Sequence, residues 1–162
     1  MPLPLEEQLR EALRARNATL AAAESCTGGL VSDLVTNLPG SSEYFLGGVV
    51  AYAYSAKANI LGVSWDTLHE HGAVSEETVR EMARGARRIF GAEIAVSISG
   101  IAGPGGGMPG KPVGLTWFGL AAKEGEWARH FIWNGDRLQN KRYSADAALQ
   151  FVMDYLEGRL QN

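Results

Sequence analysis

At 162 residues, 46% hydrophobic and 20% charged, the chain suits one globular domain with its own core, residues 1–162, and leaves little room for a second. Its formal net charge of −3 argues against a direct nucleic-acid partner, since binding to a phosphate backbone shows itself as a basic excess. A single cysteine, Cys26, excludes an intramolecular disulfide, and neither a signal-like start nor an apolar run near the roughly 20 residues needed to cross a bilayer is present, so a soluble cytoplasmic protein without a membrane partner is expected.

Leu5, Leu9, Ala12 and Leu13 recur at helical spacing opposite Glu6, Glu7, Arg10 and Arg14, which predicts an amphipathic helix over residues 5–16 stopped by Asn17. Residues 18–23 are small and apolar almost without a break, as in a central strand covered on both faces. Glu24-Ser25-Cys26-Thr27 ends that run, and Gly28-Gly29 open a helically spaced segment over 30–38: a strand, a tight turn and a helix. Residues 44–54 read as a second strand with a bulge or close backbone approach at Gly47 and Gly48. A short helix follows over 55–61, ended by Gly62, and Ser64 starts another. Ser75 caps a longer helix to Phe90, with Gly91 after its end. Residues 92–101 give a third strand, 113–122 a fourth and 127–133 a fifth, with a glycine-rich segment over 100–114. Ala145, Ala148, Leu149, Val152, Met153 and Leu156 stripe a long helix over 137–160. Strands alternating with helices predict an α/β fold, a three-layer α/β/α sandwich, and the adjacent last strands make its five-stranded sheet mixed.

The turn after the first strand puts short hydroxyl side chains at a helix N-terminus, where unpaired N–H groups and the helix dipole favour an anion or a developing oxyanion. Ser25 stands there as a nucleophile or as a helix cap, and Thr27 also fits the cap. A serine nucleophile needs a base. His69 and His71 sit in a polar connection and His130 lies inside a strand beside Arg129, and no further histidine or cysteine has a metal-ligand spacing. Neither a metal nor a cofactor is expected. A lysine desolvated in a pocket can instead take the proton from a serine hydroxyl. Lys57 follows the second strand near a strand end, where α/β proteins place ligands, and is either that base or a solvated lysine on a short helix. Gly105, Gly107 and Gly110 fit G-x-G-x-x-G, and Gly105 to Lys111 fits the start of a Walker A loop. Both motifs must open a helix, yet Pro112, Val113 and Gly114 lead into a strand, which leaves a mobile loop beside a pocket whose N–H groups could still cradle a phosphate.

Glu24-Ser25-Cys26-Thr27-Gly28-Gly29, Gly47-Gly48-Val49-Val50-Ala51-Tyr52 with Ala56-Lys57, Ser99-Gly100-Ile101-Ala102-Gly103-Pro104, Lys111-Pro112-Val113-Gly114 and Gly135-Asp136-Arg137 occur in one order. Together they closely resemble the CinA C-terminal domain family, the bacterial nicotinamide-nucleotide amidases, over nearly the whole chain. The resemblance implies a nucleotide substrate, nicotinamide mononucleotide, hydrolysed to nicotinate mononucleotide and ammonia by a serine and lysine mechanism without metal. By motif position Ser25 would be the nucleophile, Lys57 its base, and Tyr52 and Ser99 their hydrogen-bonding neighbours. Thr27, Gly28, Gly29, Gly47, Gly48, Gly100, Gly103, Arg137 and Arg142 would form the substrate site, with Arg137 facing the anionic part. Family members often read Tyr-Ser-Asn-Glu-Ala-Lys where this chain has Tyr52-Ala53-Tyr54-Ser55-Ala56-Lys57, and often carry arginine where Lys141 follows Asn140. Lys141 keeps the charge without the bidentate fork, and Arg142 stands beside it to compensate. The family also admits a reading as a non-catalytic interaction module linked to competence or DNA damage, and a homo-oligomer is left open. Its longer members add an N-terminal domain, and this chain corresponds to their amidase-like part.

Overall fold

A computed structural model describes residues 1–160. Helix α1 (Leu5–Arg16) has Glu6 and Glu7 in its first turn and Arg14 and Arg16 in its last, matching the helix dipole at both ends. Asn17, at φ 51°, turns the chain out in the left-handed conformation, and its N–H closes on the carbonyls of Leu13 and Arg14. Strand β1 (Leu20–Glu24) follows, then α2 (Leu30–Thr36), a short 3-10 turn (Ser41–Glu43) and β2 (Phe45–Val50). Next come α3 (Tyr54–Asn59), α4 (Trp65–His71) capped by Ser64, and α5 (Glu76–Phe90) capped by Ser75 and closed by Gly91. Strands β3 (Ile94–Gly100), β4 (Leu115–Ala122) and β5 (Gly125–Ile132) lead to α6 (Arg137–Leu156), whose start is fixed by a reciprocal capping box of Asp136 and Gln139.

The sheet order is β2-β1-β3-β4-β5. The first three strands run parallel, while β4 and β5 are antiparallel, so the sheet is mixed as expected. Alternation along β1 assigns its faces: Leu20 and Ala22 join a core with Leu9, Leu13, Val31 and Leu149, and Ala21 and Ala23 join a second core with Val79, Met82 and Ala86. Helices α1, α2 and α6 therefore cover one face and α3, α4 and α5 the other, the three layers anticipated. Helix α5 lies flush on the sheet because the central residues are small. A Cβ on Gly119 would stand 2.2 Å from the Val79 carbonyl oxygen, and the Ser97 hydroxyl donates to that same oxygen.

Element boundaries moved where tertiary contacts overrule the local pattern. Strand β2 stops at Val50, since Ala53 is already the extended N-cap of α3. Its irregularity falls opposite Leu20 and Ala21, where the pairing jumps from Phe45 to Gly47. The last helix ends at Leu156 and not at residue 160, with Gly158 at φ 74° just beyond it. Strand β1 includes Glu24, a carboxylate that the pattern had left to the turn. Among the described residues no helix is long and apolar enough to cross a membrane. The C-terminal ends of β1, β2 and β3 lie side by side, and the connections that leave them meet there.

Candidate active site

Glu24 is 0% exposed, a burial that ionisable residues reach only when they are fully partnered. One carboxylate oxygen accepts from the Thr27 hydroxyl at 2.6 Å, the Gly29 N–H at 3.2 Å and the Val31 N–H at 2.9 Å. The other accepts from the Ser32 N–H at 3.0 Å and the Ser32 hydroxyl at 2.7 Å. The orphan N–H groups of α2 are thus satisfied by the chain's own carboxylate, and the anion site expected at this helix start is already filled. The Thr27 hydroxyl is committed to Glu24. Gly28 and Gly29, at φ 62° and 108°, let the backbone wrap around the carboxylate. Glu24 was missed by sequence reasoning, although an acid that ends an apolar strand just before a helix start was its signal.

The turn so fixed presents Ser25. Its N–H donates to the Ile98 carbonyl at 3.0 Å, tying the turn to β3, and its Oγ lies 2.9 Å from Lys57 Nζ. Lys57 is 1% exposed. Its Nζ also donates to the carbonyl oxygens of Ala51 at 2.9 Å and Tyr52 at 3.1 Å. Among the described residues no carboxylate pairs with it. Desolvation therefore prevails and pushes the lysine from its ordinary 10.5 down to about 8, opposed only weakly by the nearby Cys26 thiol. A neutral amine has two N–H groups and one lone pair. The two carbonyls take the N–H groups, which leaves the lone pair directed at the Ser25 hydroxyl, the geometry a general base requires. Cys26, next in the chain, is not a competing nucleophile, because burial pushes its thiol up to about 12 and keeps it protonated.

Ser25, Lys57 and Ser99 converge, as expected, on a cavity of about 190 Å³ that Tyr52, Gly100, Ala102 and Arg137 also line. Tyr52 neighbours Lys57 as expected, but through its main chain, and Ser99 makes no such contact. Tyr52 meets Lys57 through its backbone carbonyl, while its side chain is 60% exposed and its phenol accepts from Arg137 Nη2 at 3.1 Å. Ser99 is buried in the cavity wall, but its hydroxyl makes no hydrogen bond to Ser25 or Lys57 among the described residues. Arg137 also donates from Nη1 to the Gly103 carbonyl at 2.8 Å.

At Gly47 and Gly48 the structure shows close packing. A Cβ on Gly47 would sit 2.5 Å from the Phe90 ring, and one on Gly48 would sit 2.4 Å from the Ser32 hydroxyl. Arg142 points away from the cavity and pairs with Asp146 at 3.2 Å and Glu6 at 3.9 Å. At about 100° per residue it lies roughly 140° around α6 from Arg137. Lys141, one turn beyond Arg137 on the same face, is the residue that approaches the turn, its Nζ 3.7 Å from where a Gly28 Cβ would stand. A larger cleft of about 510 Å³ lies among Arg84, Arg87, Arg88 and Glu126 at the far end of α5, and it contains no nucleophile.

Residues 3–156 match the family described as CinA C-terminal domain. The chain is 50% identical over 149 residues to the nicotinamide-nucleotide amidohydrolase PncC of Escherichia coli, covering 91% of this chain and 90% of that protein. It is 52% identical over 155 residues to a CinA-like protein of Thermotoga maritima, but spans only 38% of that relative's length. A CinA superfamily protein of Klebsiella pneumoniae superposes with a TM-score of 0.92 at 34% identity, over 95% of this chain and 96% of that one. The competence/damage inducible protein CihA of Agrobacterium tumefaciens gives 0.89 at 36%, over 97% and 99%. The matched range takes in Ser25, Lys57 and Ser99 as well as the scaffold behind them, and the chain belongs to the CinA C-terminal domain family.

Proposed function

We propose that this protein is an amidohydrolase that converts nicotinamide mononucleotide to nicotinate mononucleotide and ammonia, returning a pyridine nucleotide to use, with Ser25 as nucleophile and Lys57 as its base. The contact that carries the reading is the buried 2.9 Å approach of Lys57 Nζ to Ser25 Oγ at the wall of the cavity, and the substrate is suggested by the name of the Escherichia coli relative. Lys57 takes the hydroxyl proton as Oγ bonds to the carboxamide carbon. The ammonium so formed gives that proton to the amide nitrogen as the C–N bond breaks and ammonia leaves. Water then attacks the Ser25 ester, its proton passes to Lys57 and on to Oγ as the ester C–O bond breaks, and the nicotinate acid is released.

Ammonia release from nicotinamide mononucleotide at micromolar enzyme tests the reading, with Ser25→Ala as control. Wild type should turn over and the variant should not. Silence from correctly folded wild type would reject this substrate and favour the interaction-module reading.

A further inference from the structure

Asn140 sits one turn into α6 and is 1% exposed, and a polar side chain so buried has to find partners for its amide. Its Oδ1 accepts from the Gly135 N–H at 2.9 Å, and its Nδ2 donates to the Ala102 carbonyl at 3.0 Å. The partners belong to different segments, Gly135 to the connection from β5 to α6 and Ala102 to the loop after β3. One is a donor and the other an acceptor, so only an amide serves both. A carboxylate would set oxygen against oxygen at Ala102. The helix is steadied at the same point by the Ser144 hydroxyl, which donates to the Asn140 carbonyl at 2.7 Å and accepts from Trp133 Nε1 at 3.0 Å.

Arg137, one turn earlier on α6, donates to the Gly103 carbonyl at 2.8 Å. Consecutive carbonyls at the start of the glycine-rich loop are thus tied to a single turn of helix. Ala102 and Arg137 line the cavity that holds Ser25 and Lys57, while Asn140 stays behind them. The two ties differ in stiffness. Asn140 is short and buried, whereas Arg137 is long and exposed and loses much rotamer freedom when held. The loop itself carries Gly103, Gly105, Gly106, Gly107 and Gly110, which have no side chain to pack, so the place of its first carbonyls is decided from α6.

Resting on the amidase reading above, we propose that Asn140 is a positioning residue for substrate binding: it fixes the start of the glycine-rich loop and, through the Gly103 carbonyl, sets where the Arg137 guanidinium stands at the cavity. Asn140 touches neither substrate nor the reacting atoms. Ser25 and Lys57 are held by other groups, the Ile98, Ala51 and Tyr52 carbonyls, so the proton path does not run through it. Loss of the amide weakens ground state and transition state alike, which raises KM and leaves kcat unchanged. Because the effect is carried by Arg137, it does not add to the loss of that residue. Support of the fold alone would add to it.

The test is a double-mutant cycle on the full chain with Ser25→Ala, in which calorimetry gives the affinity of nicotinamide mononucleotide for Asn140→Asp, Arg137→Ala and the pair. Asn140→Asp keeps the acceptor for Gly135 and loses the donor to Ala102, so affinity should fall by about 2- to 10-fold. On the Arg137→Ala background the same change should cost nothing further. Asn140→Ala, which buries no charge, serves the same cycle if the aspartate variant does not fold. An equal loss on both backgrounds, unchanged affinity, or no binding by the Ser25→Ala parent overturns the proposal. So does a fall in kcat with KM unmoved when Asn140→Asp is made with Ser25 intact. Binding does not depend on turnover: active wild type with additive losses refutes the positioning role alone, and silent wild type with non-additive losses refutes the amidase alone.

Discussion

Lys57 keeps its place in an apolar setting through three oxygen contacts, none of them from a carboxylate. Had an aspartate stood beside it, its charge would be secured and its lone pair lost. The free-enzyme profile of kcat/KM should accordingly rise along a single ionisation near pH 8, the value to which burial lowers this lysine. Lys57→Arg retains the charge but cannot shed a proton, so kcat should fall by about 10² to 10⁴. Near-normal kcat in that variant would show that the lysine acts only as a charge. The pairing of Ser25 with Lys57 was legible because both residues lie in collinear motifs, and motif position survives without knowledge of side-chain direction. That Tyr52 meets Lys57 through its carbonyl, and that Arg142 turns to Asp146, was not legible for the complementary reason. Whether a side chain or its carbonyl faces a cavity depends on the backbone path after a strand end, which spacing does not encode.

The turn from β1 into α2 is the element on which Ser25 depends, and Glu24 is its organiser. Glu24→Gln keeps one acceptor oxygen and sets an NH₂ against the Ser32 N–H, leaving buried donors without partners. Since hydrogen bonds to a charged group contribute about 1.5–3 kcal/mol each, a loss of stability on the order of 2–3 kcal/mol is expected in urea unfolding. Amide exchange should quicken at Gly29, Val31 and Ser32, with kcat reduced because Ser25 is no longer held. Unchanged exchange at those three amides would deny Glu24 this role. Helix α5 was read closely from sequence because its signals are local, Ser75 before it and Gly91 after it. The buried end of β1 was misread because a glutamate next to a turn ordinarily seeks water, and only its convergence on α2 explains its burial.

Across the whole molecule the burial of Lys57 ties the proposed base to stability. The unfolded chain holds the Lys57 proton up to its ordinary value of 10.5, whereas the native chain releases it near 8. Between those values unfolding takes up a proton, so stability rises with pH. At about 1.4 kcal/mol per pH unit the full window amounts to about 3 kcal/mol. Unfolding free energies of wild type and Lys57→Met, measured from pH 7 to 11, should differ by an amount that shifts in favour of wild type by about that much as the pH rises. A constant difference would mean that the native lysine titrates as an ordinary one. The mixed sheet was foreseen from the two last strands, joined through Lys123 and Glu124 with no room for a crossover. The β2-first strand order was beyond reach, because strand neighbours are set by long-range pairing that local spacing does not encode.

Ser25 and Lys57 belong to different layers. The serine is fastened through Glu24 to α2 on one face of the sheet, and the lysine rides on α3 on the other. Their 2.9 Å contact reaches around the ends of β1 and β2 and so works as a gauge of how the two helical layers are aligned. Neither core can slip or swell by much before the proton path opens, even while every strand remains paired. On the amidase reading, warming should therefore dim activity before the fold is lost, with the Ser25–Lys57 contact as the first joint to part.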